Sequence, residues 1–464
     1  MNITISSTLT AAALTTLIAD HHPDWQACFL NDDHQPVIGI LPKVSWRLSA
    51  DDTQGKSWTL TMMQRQADLA YTQQHLPSSY HDLLDKLSKY SEKQANHNSS
   101  DQACGYQHGL MGFVGYDIAA HALNDEIELK SDQPASFFGH YDIYLKPVAQ
   151  DGKCGFVLIC QDDDITLNTL INELNTLQNQ ALPKAEPLSL APIWSKDDYQ
   201  AAFEKAQAYL LAGDGYQINL TQAWLAAKSG KLSAHLPNLM SASQAPFAGF
   251  LQVGDFELLS VSPELFFTFY KQNNSIHIIT KPIKGTRPRA SDPVLDEQYK
   301  QALATSQKDI SENLMIVDLL RNDLGKYAEI GSVKTPMKFA IESFSNVHHM
   351  VSTITAKLNA DSHPLAVLFG SLPAGSITGA PKKRACEMIF ELESAPRGAY
   401  CGSMGYLNFD GTGQFNVLIR TIQANADGIS VWAGGGITIR SQVDDEYQEC
   451  MDKVGMILKT LADG

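Results

Sequence analysis

The sequence predicts a large soluble fold that mixes strands and helices, and three observations predict it. Short runs alternate apolar with polar residues at the strand period of two, as Tyr216-Gln217-Ile218-Asn219-Leu220-Thr221-Gln222 does. Other stretches repeat apolar residues at helical spacing, as Leu167, Leu170, Ile171, Leu174 and Leu177 do. The chain has 464 residues, 44% of them hydrophobic and 19% charged, which is enough apolar surface for a sizeable core in one large domain or two.

Taken in order, residues 1 to about 150 alternate short apolar segments with polar loops. Ala11 to Ala19 is apolar, but no lysine or arginine precedes it and His21 and Asp24 follow, so it reads as an amphipathic helix and not a signal peptide. The polar run from Ser91 to Gly105 predicts an exposed loop. Leu110-Met111-Gly112-Phe113-Val114-Gly115-Tyr116-Asp117 reads as a glycine-punctuated strand. The helix around Leu167 to Leu177 closes this part. Residues 181 to 192 then carry three prolines in twelve positions and form the best linker in the chain, dividing it into 1–190 and 191–464.

The second part opens with a helix over 196 to 212, stopped by Gly213 as a C-cap. In the strand that follows, Gln217, Asn219 and Thr221 share one face, which either meets water or lines a polar site. A strand over 258 to 261 ends at Ser262-Pro263-Glu264. The β-branched run 276 to 280 leads into Lys281-Pro282-Ile283-Lys284-Gly285-Thr286-Arg287-Pro288-Arg289, where a strand is about to turn. Two prolines and Gly285 give Lys284 a stiff mounting, but from composition alone a basic strand end facing water is the preferred reading. A helix over 306 to 324 is closed by Gly325, and a last helix spans 444 to 461. There is no internal repeat.

Charge and cysteine usage exclude several classes. A net charge of −16 argues against a nucleic-acid or anionic-membrane surface. Seven cysteines without a C-x-x-C pair suit reduced thiols in a cytoplasm. No apolar run approaches the ~20 residues of a membrane span.

Three stretches carry chemistry. In Gly375-Ser376-Ile377-Thr378-Gly379-Ala380-Pro381-Lys382, Pro381 suits the first position of a helix whose N-terminus favours an anion, although many capped helices bind nothing. Glu312 lies in one helix, and Glu446, Glu449 and Lys453 fall on one face of another. These are either surface ion pairs or a Mg²⁺ site that borrows carboxylates from separate helices. Gly434-Gly435-Gly436, after a strand over 428 to 432, would let a ligand lie against bare backbone or would form a plain turn.

In sequence order, PIKGTRPR (282–289), KDISENLMIVDLLRNDLG (308–325), VHHMVSTI (347–354), PAGSITGAPKKRA (373–385) and GGGI (434–437) followed by EYQEC (446–450) resemble the signatures of the chorismate-utilising enzymes. The resemblance covers about 193–464 strongly and the first part weakly, through Gly112 to Asp117. It implies an α+β fold of four layers, two large mixed sheets face to face with helices outside, so that 1–190 and 191–464 are halves of one structure. In some relatives the first half holds a bound tryptophan, and no residue here can be matched to that pocket.

Within this family, members that add water to chorismate carry a lysine at the position of Gln217, and that lysine activates the water. Anthranilate-forming members usually carry alanine at the position of Lys284, whereas lysine there marks the members that aminate chorismate at C4. The resemblance therefore implies that Lys284 attacks C2 as the C4 hydroxyl leaves and that ammonia then displaces it, with Glu264 as general acid. For that, Lys284 must be neutral, through desolvation or a neighbouring cation such as Lys281 or the metal, and Glu264 must hold its proton near neutrality. It further implies Glu312 and Glu449 as Mg²⁺ ligands with Glu446 in or beside the set. Tyr406 and Arg420 would hold the enolpyruvyl carboxylate, and Thr378, Gly379, Gly435, Gly436 and Lys453 the rest of a cradle. His349 would sit near the leaving hydroxyl, although His348-His349 could equally be one exposed and one buried histidine. No cysteine sits in a glutaminase setting, so a separate glutamine amidotransferase subunit is expected to supply ammonia. Rival readings are an anthranilate-forming enzyme and a chorismate-binding regulatory subunit without turnover. Two departures from the family pattern, Ala290 after TRPR and Val443-Asp444-Asp445 before the last helix, lie beside the site.

Overall fold

A computed structural model describes residues 2–32, 35–95, 105–150, 153–161, 167–344, 347–393 and 395–464. Two twelve-stranded sheets dominate it. The first runs from Asn2–Ser6 through Lys153–Cys160, Ile143–Gln150, Gln35–Ile40 and Cys28–Asp32, crosses to Phe247–Val253, and continues through Phe256–Ser262, Thr421–Ala424, Gly428–Ile437 and Gln217–Ala227. The second runs from Ile283–Pro288 through Val347–Lys357, Ser275–Thr280, Leu265–Gln272, Gly413–Asn416 and Ser403–Asn408. It then crosses to Gly109–Val114, Ser136–His140, Val44–Ala50, Trp58–Arg65 and Tyr71–Pro77. Where mixed sheets were expected, the described pairings are antiparallel.

Period-two alternation assigns each strand's side chains to two different cores. In Cys28-Phe29-Leu30, Cys28 and Leu30 enter a cluster with Met111, Phe113, Leu258 and Met404, which is filled from both sheets and lies between them. Phe29 instead joins Leu17, Ile18, Leu170 and Ile457, from helices that cover the first sheet's outer face. Leu110 and Val114 likewise point away from Met111 and Phe113, toward Leu83, Ile316 and Leu368 of helices outside the second sheet. The order is thus helix, sheet, sheet, helix, as the family resemblance implied.

Each sheet takes strands from both sides of residue 190. Phe29 pairs with Phe250 in one, and Gly112 with Gly405 in the other. The proline-rich stretch 181–192 packs against the body: Ala185 and Leu188 are buried, the Leu188 N–H donates to Leu461 O at 2.8 Å, and Ala191–Pro192 adds to the edge of the first sheet. A spacer free in solvent would show none of these.

Local signals set most helix ends. Ser195 and Asp198 form a capping box at the start of Lys196–Ala212, and Gly213 ends it at φ 86°. Ser306 caps Gln307–Gly325, so Gly325 is the last helical residue and not the one beyond. The last helix is Val443–Asp463. Three expectations change. Ser91 to Gln94 belong to the helix Tyr80–Gln94, with Ser91 buried, while 96–104 lie outside the described residues. The glycine-punctuated strand ends at Val114, and Tyr116 and Asp117 begin a short helix. Gly434 to Gly436 are not a turn: the strand Gly428–Ile437 runs through them, pairing Gly434, Gly435 and Gly436 with Thr221, Leu220 and Asn219. Among the described residues no helix is long and apolar enough to cross a membrane.

Candidate functional site

A cavity of about 680 Å³ lies between the helices Gln307–Gly325 and Val443–Asp463, floored by the strand Gly428–Ile437 and walled by Ile283–Pro288. It has the size of an ordinary small-molecule site. Its frame is tied by a buried ion pair. Arg397 and Glu393 meet through bonds of 2.8 and 2.6 Å, and the same guanidinium donates to Asn219 O at 2.7 Å and Ile377 O at 3.1 Å, backbone of two wall segments. Glu393 also accepts from the Thr221 N–H and hydroxyl. The polar face of that strand is thus buried and not wet, although on it the Gln217 amide has no hydrogen-bond partner among the described residues.

Lys284 reaches the cavity through a β-bulge. Ile283 pairs with Val351 and Thr286 with His349, which leaves Lys284 and Gly285 opposite a single residue, Met350. Gly285 takes φ 83°, and a Cβ there would stand 2.7 Å from Leu303 and 2.8 Å from Asp309. Only glycine relieves both constraints. The segment expected to be a strand about to turn is thus a strand with an interruption that redirects the amine. Lys284 Nζ donates to Ser376 O at 3.4 Å, whereas Lys281 is engaged by Glu342 at 3.2 Å.

Glu264 lines the same cavity and is buried. Desolvation pushes its carboxyl up to about 7, against the opposing pull of Lys284, a Ser376 hydrogen bond and Lys453. A group that is about half protonated near neutrality can donate a proton. His349 and His348 are both buried, in place of the one exposed and one buried pair considered from sequence. His349 Nδ1 lies 2.8 Å from the Thr286 hydroxyl, and burial, reinforced by Arg420, lowers its pKa to about 4, so its ring is neutral at pH 7. His348 instead bonds Ser343 and Asp296, away from the cavity.

The carboxylates gather at one end. A Cβ on Gly435 would lie 3.1 Å from Glu446 Oε2 and 3.5 Å from Glu449 Oε1, so the bare backbone makes room for both acids above the strand. Glu446 accepts from Lys308 Nζ at 3.1 Å and from the Ser441 hydroxyl at 2.6 Å. Glu449 pairs with Lys453 at 2.7 Å, and Lys453 also donates to Gly434 O at 2.9 Å. Glu312 differs: its Oε1 is buried with no hydrogen-bond partner, and desolvation raises its pKa against the pull of Lys284 and Lys308. Among the described residues no three His, Cys, Asp or Glu side chains form a ready cage for a metal. The donor set nevertheless fits Mg²⁺, which takes one or two carboxylates and keeps waters, and the orphaned Glu312 oxygen has no protein hydrogen bond to give up among the described residues.

Arg420 faces the cavity as a largely buried guanidinium, and among the described residues no carboxylate pairs with it. Tyr400 and Trp432, stacked with centroids 6.1 Å apart at 17°, complete that wall.

Not every expected residue reaches the space. Tyr406 sits in the core between the sheets, its hydroxyl donating to Asp32 at 2.5 Å, and the tyrosine at the cavity is Tyr400, six residues earlier. Thr378 is buried behind the wall, bonded to Ala374 O at 2.9 Å, and Gly379 pairs with Ile218 in the sheet. Gln217 is fully buried beneath Gly436, whose Cβ would stand 2.8 Å from it. Pro381 is the N-cap of Lys382–Leu392 and not its first residue. From that loop Ser376 and Ile377 line the cavity, while the helix itself does not. Sequence reasoning missed Ser376, Tyr400 and Lys308. Ser376 and Lys308 lay inside motifs already singled out.

The model of the chorismate binding enzyme family matches residues 47–459. The chain is 41% identical over 386 residues to aminodeoxychorismate synthase component 1 of Salmonella typhimurium, covering 82% of each chain. It is 40% identical over 391 residues to the protein of that name from Escherichia coli K12, covering 82% of this chain and 83% of the relative. In structure it is similar to anthranilate synthase component I from Streptococcus pneumoniae TIGR4, with a TM-score of 0.73, 25% identity, and coverage of 90% and 91% of the two chains.

Proposed function

The chain belongs to the chorismate binding enzyme family, and from that premise we propose that it aminates chorismate at C4 to give 4-amino-4-deoxychorismate, the precursor of 4-aminobenzoate and folate. The observation that carries this reading is Lys284, which a bulge directs into the same cavity as a carboxyl with a pKa of about 7. The relatives at 40–41% identity bear the matching name. The fold is shared with an anthranilate synthase, but a lysine at the reacting centre has no task in amination at C2.

Lys284 Nζ bonds to C2, the ring electrons shift, and the C4–O bond breaks as Glu264 passes its proton to the departing hydroxyl, which leaves as water. Ammonia then bonds to C4, the electrons return, and the C2–N bond breaks to free Lys284. Splitting one displacement into two places the amine on the carbon that lost the hydroxyl. Glu312 and Glu449, with Glu446 beside them, would hold Mg²⁺. When bound, it would neutralise the ring carboxylate and draw electron density from the ring. Ammonia would come from a separate glutamine amidotransferase subunit, which fits a chain whose Cys28, Cys386, Cys401 and Cys450 are all buried.

Arg420 suits the enolpyruvyl carboxylate, because a guanidinium grips a carboxylate through two bonds. Arg420→Met should reduce kcat/KM for chorismate roughly 10- to 150-fold, the worth of a hydrogen bond to a charged group, mostly through KM. Since the guanidinium is desolvated without a counter-ion, the variant should melt no lower than the parent. A fall in kcat alone would place Arg420 elsewhere in the chemistry.

The deciding assay gives purified protein Mg²⁺, chorismate and an ammonium salt, and then adds the lyase that converts 4-amino-4-deoxychorismate to 4-aminobenzoate. Formation of 4-aminobenzoate is expected. Anthranilate and pyruvate as the sole products would overturn the reading, and chorismate binding without turnover would favour a regulatory subunit.

A further inference from the structure

We propose that Lys308 is a tethered competitor for the divalent cation, an ammonium that holds Glu446 until a metal arrives and so sets how tightly the metal binds. This rests on the assignment of Glu312 and Glu449 as metal ligands with Glu446 beside them.

Four observations lead to it. Lys308 and Glu312 are four residues apart on the helix Gln307–Gly325, so both project toward the same space. Across the cavity Lys308 Nζ meets Glu446 Oε1 at 3.1 Å, where the carboxylate is only 2% exposed and the ammonium 42%. Glu312, Glu446 and Glu449 line the same cavity as Lys308, so its charge faces all three acids. Finally, among the described residues no three acids form a ready metal cage, and two of these three are taken up by Lys308 and Lys453.

The two lysines differ in what they are tied to. Lys453 is fixed by the Gly434 carbonyl as well as by Glu449, which places it as part of the wall. Glu446 supplies the one hydrogen bond seen for Lys308 among the described residues, and with nearly half its side chain in solvent Lys308 can swing outward at little loss. A divalent ion approaching Glu312 and Glu449 therefore meets a neighbouring positive charge, which repels it and occupies Glu446. When the ion binds, Lys308 withdraws to water. Lys308 thus keeps a buried acid paired in the resting protein and holds metal affinity below what three free carboxylates would give.

The test is metal binding without substrate. Mn²⁺ as the probe is titrated into the intact chain and into Lys308→Met and Lys308→Arg, with unbound Mn²⁺ read by electron paramagnetic resonance. Lys308→Met should bind about tenfold more tightly than the parent, and Lys308→Arg within about twofold of it, since two units of charge repelled by one at close range amount to about that factor. Melting in EDTA and in Mg²⁺ gives a second readout. Lys308→Met should melt lower than the parent in EDTA, with Glu446 left unpaired, and should gain more from Mg²⁺. A lysine that merely supports the structure would instead give weaker or unchanged Mn²⁺ binding when removed, and that result overturns the proposal, as does an unchanged melt in EDTA. The chorismate reading stands or falls separately. Tighter Mn²⁺ in Lys308→Met with no 4-aminobenzoate from the parent would leave the competitor in place and remove the reaction.

Discussion

Replacing Lys284 by alanine should lower the rate of C4 amination about a thousandfold, a loss of ~4 kcal/mol of transition-state stabilisation, while the protein folds and binds chorismate as before. Lys284 Nζ has a single long hydrogen bond, to Ser376 O at 3.4 Å, so the fold loses little with it. Without the lysine the first displacement has no nucleophile at C2, and ammonia can take that place itself. Residual product should therefore carry nitrogen at C2. The positive charge of Lys284 also restrains the pKa of Glu264, so that carboxyl should become still harder to ionise in the variant. Chromatography against authentic 4-aminobenzoate and anthranilate, after loss of pyruvate, decides the matter, and undiminished 4-aminobenzoate would remove the covalent role. Intact-mass analysis of the parent given chorismate without ammonia should show an adduct that maps to Lys284.

Glu264→Gln should cost about 10²–10⁴-fold in kcat, the usual worth of a general acid, with KM little changed. The pH dependence carries more information. A carboxyl with a pKa of about 7 is a proton donor below that value and spent above it, so parent kcat/KM should fall as pH rises through about 7, and the glutamine variant should lack that limb. Stability moves the same way. The folded pKa lies above the ordinary carboxyl value of 4.5, so the folded state binds more protons than the unfolded state between 4.5 and 7. Stability from this group is whole below 4.5 and is lost as pH rises through about 7, by roughly 3 kcal/mol in all. At pH 8 Glu264→Gln should therefore unfold at higher denaturant concentration than the parent, with the difference vanishing toward pH 4. Equal midpoints at both pH values would show that the buried carboxyl is not strained.

How much of this was legible beforehand depended on the range of the forces involved. Helix ends set by neighbours in sequence, such as the Ser195–Asp198 box and Gly213, could be read directly. Lys284, Glu264, Glu312, Glu446, Glu449, Arg420 and His349 were legible through their motifs, and the structure brings all seven to one cavity. Of the two readings of Gly434 to Gly436, the turn fails; it suggested itself because glycine disfavours strands in isolation. The partner strand Gln217–Ala227 holds them extended, and close approach by Glu446 and Glu449 needs them bare. Tyr400 and Tyr406 flank the same glycine-containing run, and which of them faces the ligand depends on the opposing sheet, which no local pattern reports. Lys308 opens a motif that was singled out, but its role was not legible there because its partner Glu446 is 138 residues away.

Every residue that lines the cavity comes after position 190, yet the first half pairs with Phe247–Val253 in one sheet and Ser403–Asn408 in the other. A fragment beginning at 191 would contain the whole reaction centre and still expose two raw sheet edges, which invite self-association. The early strands are thus a structural prosthesis for chemistry they never touch. A gene divided at this point could work only if its two products were made together and zipped along both seams.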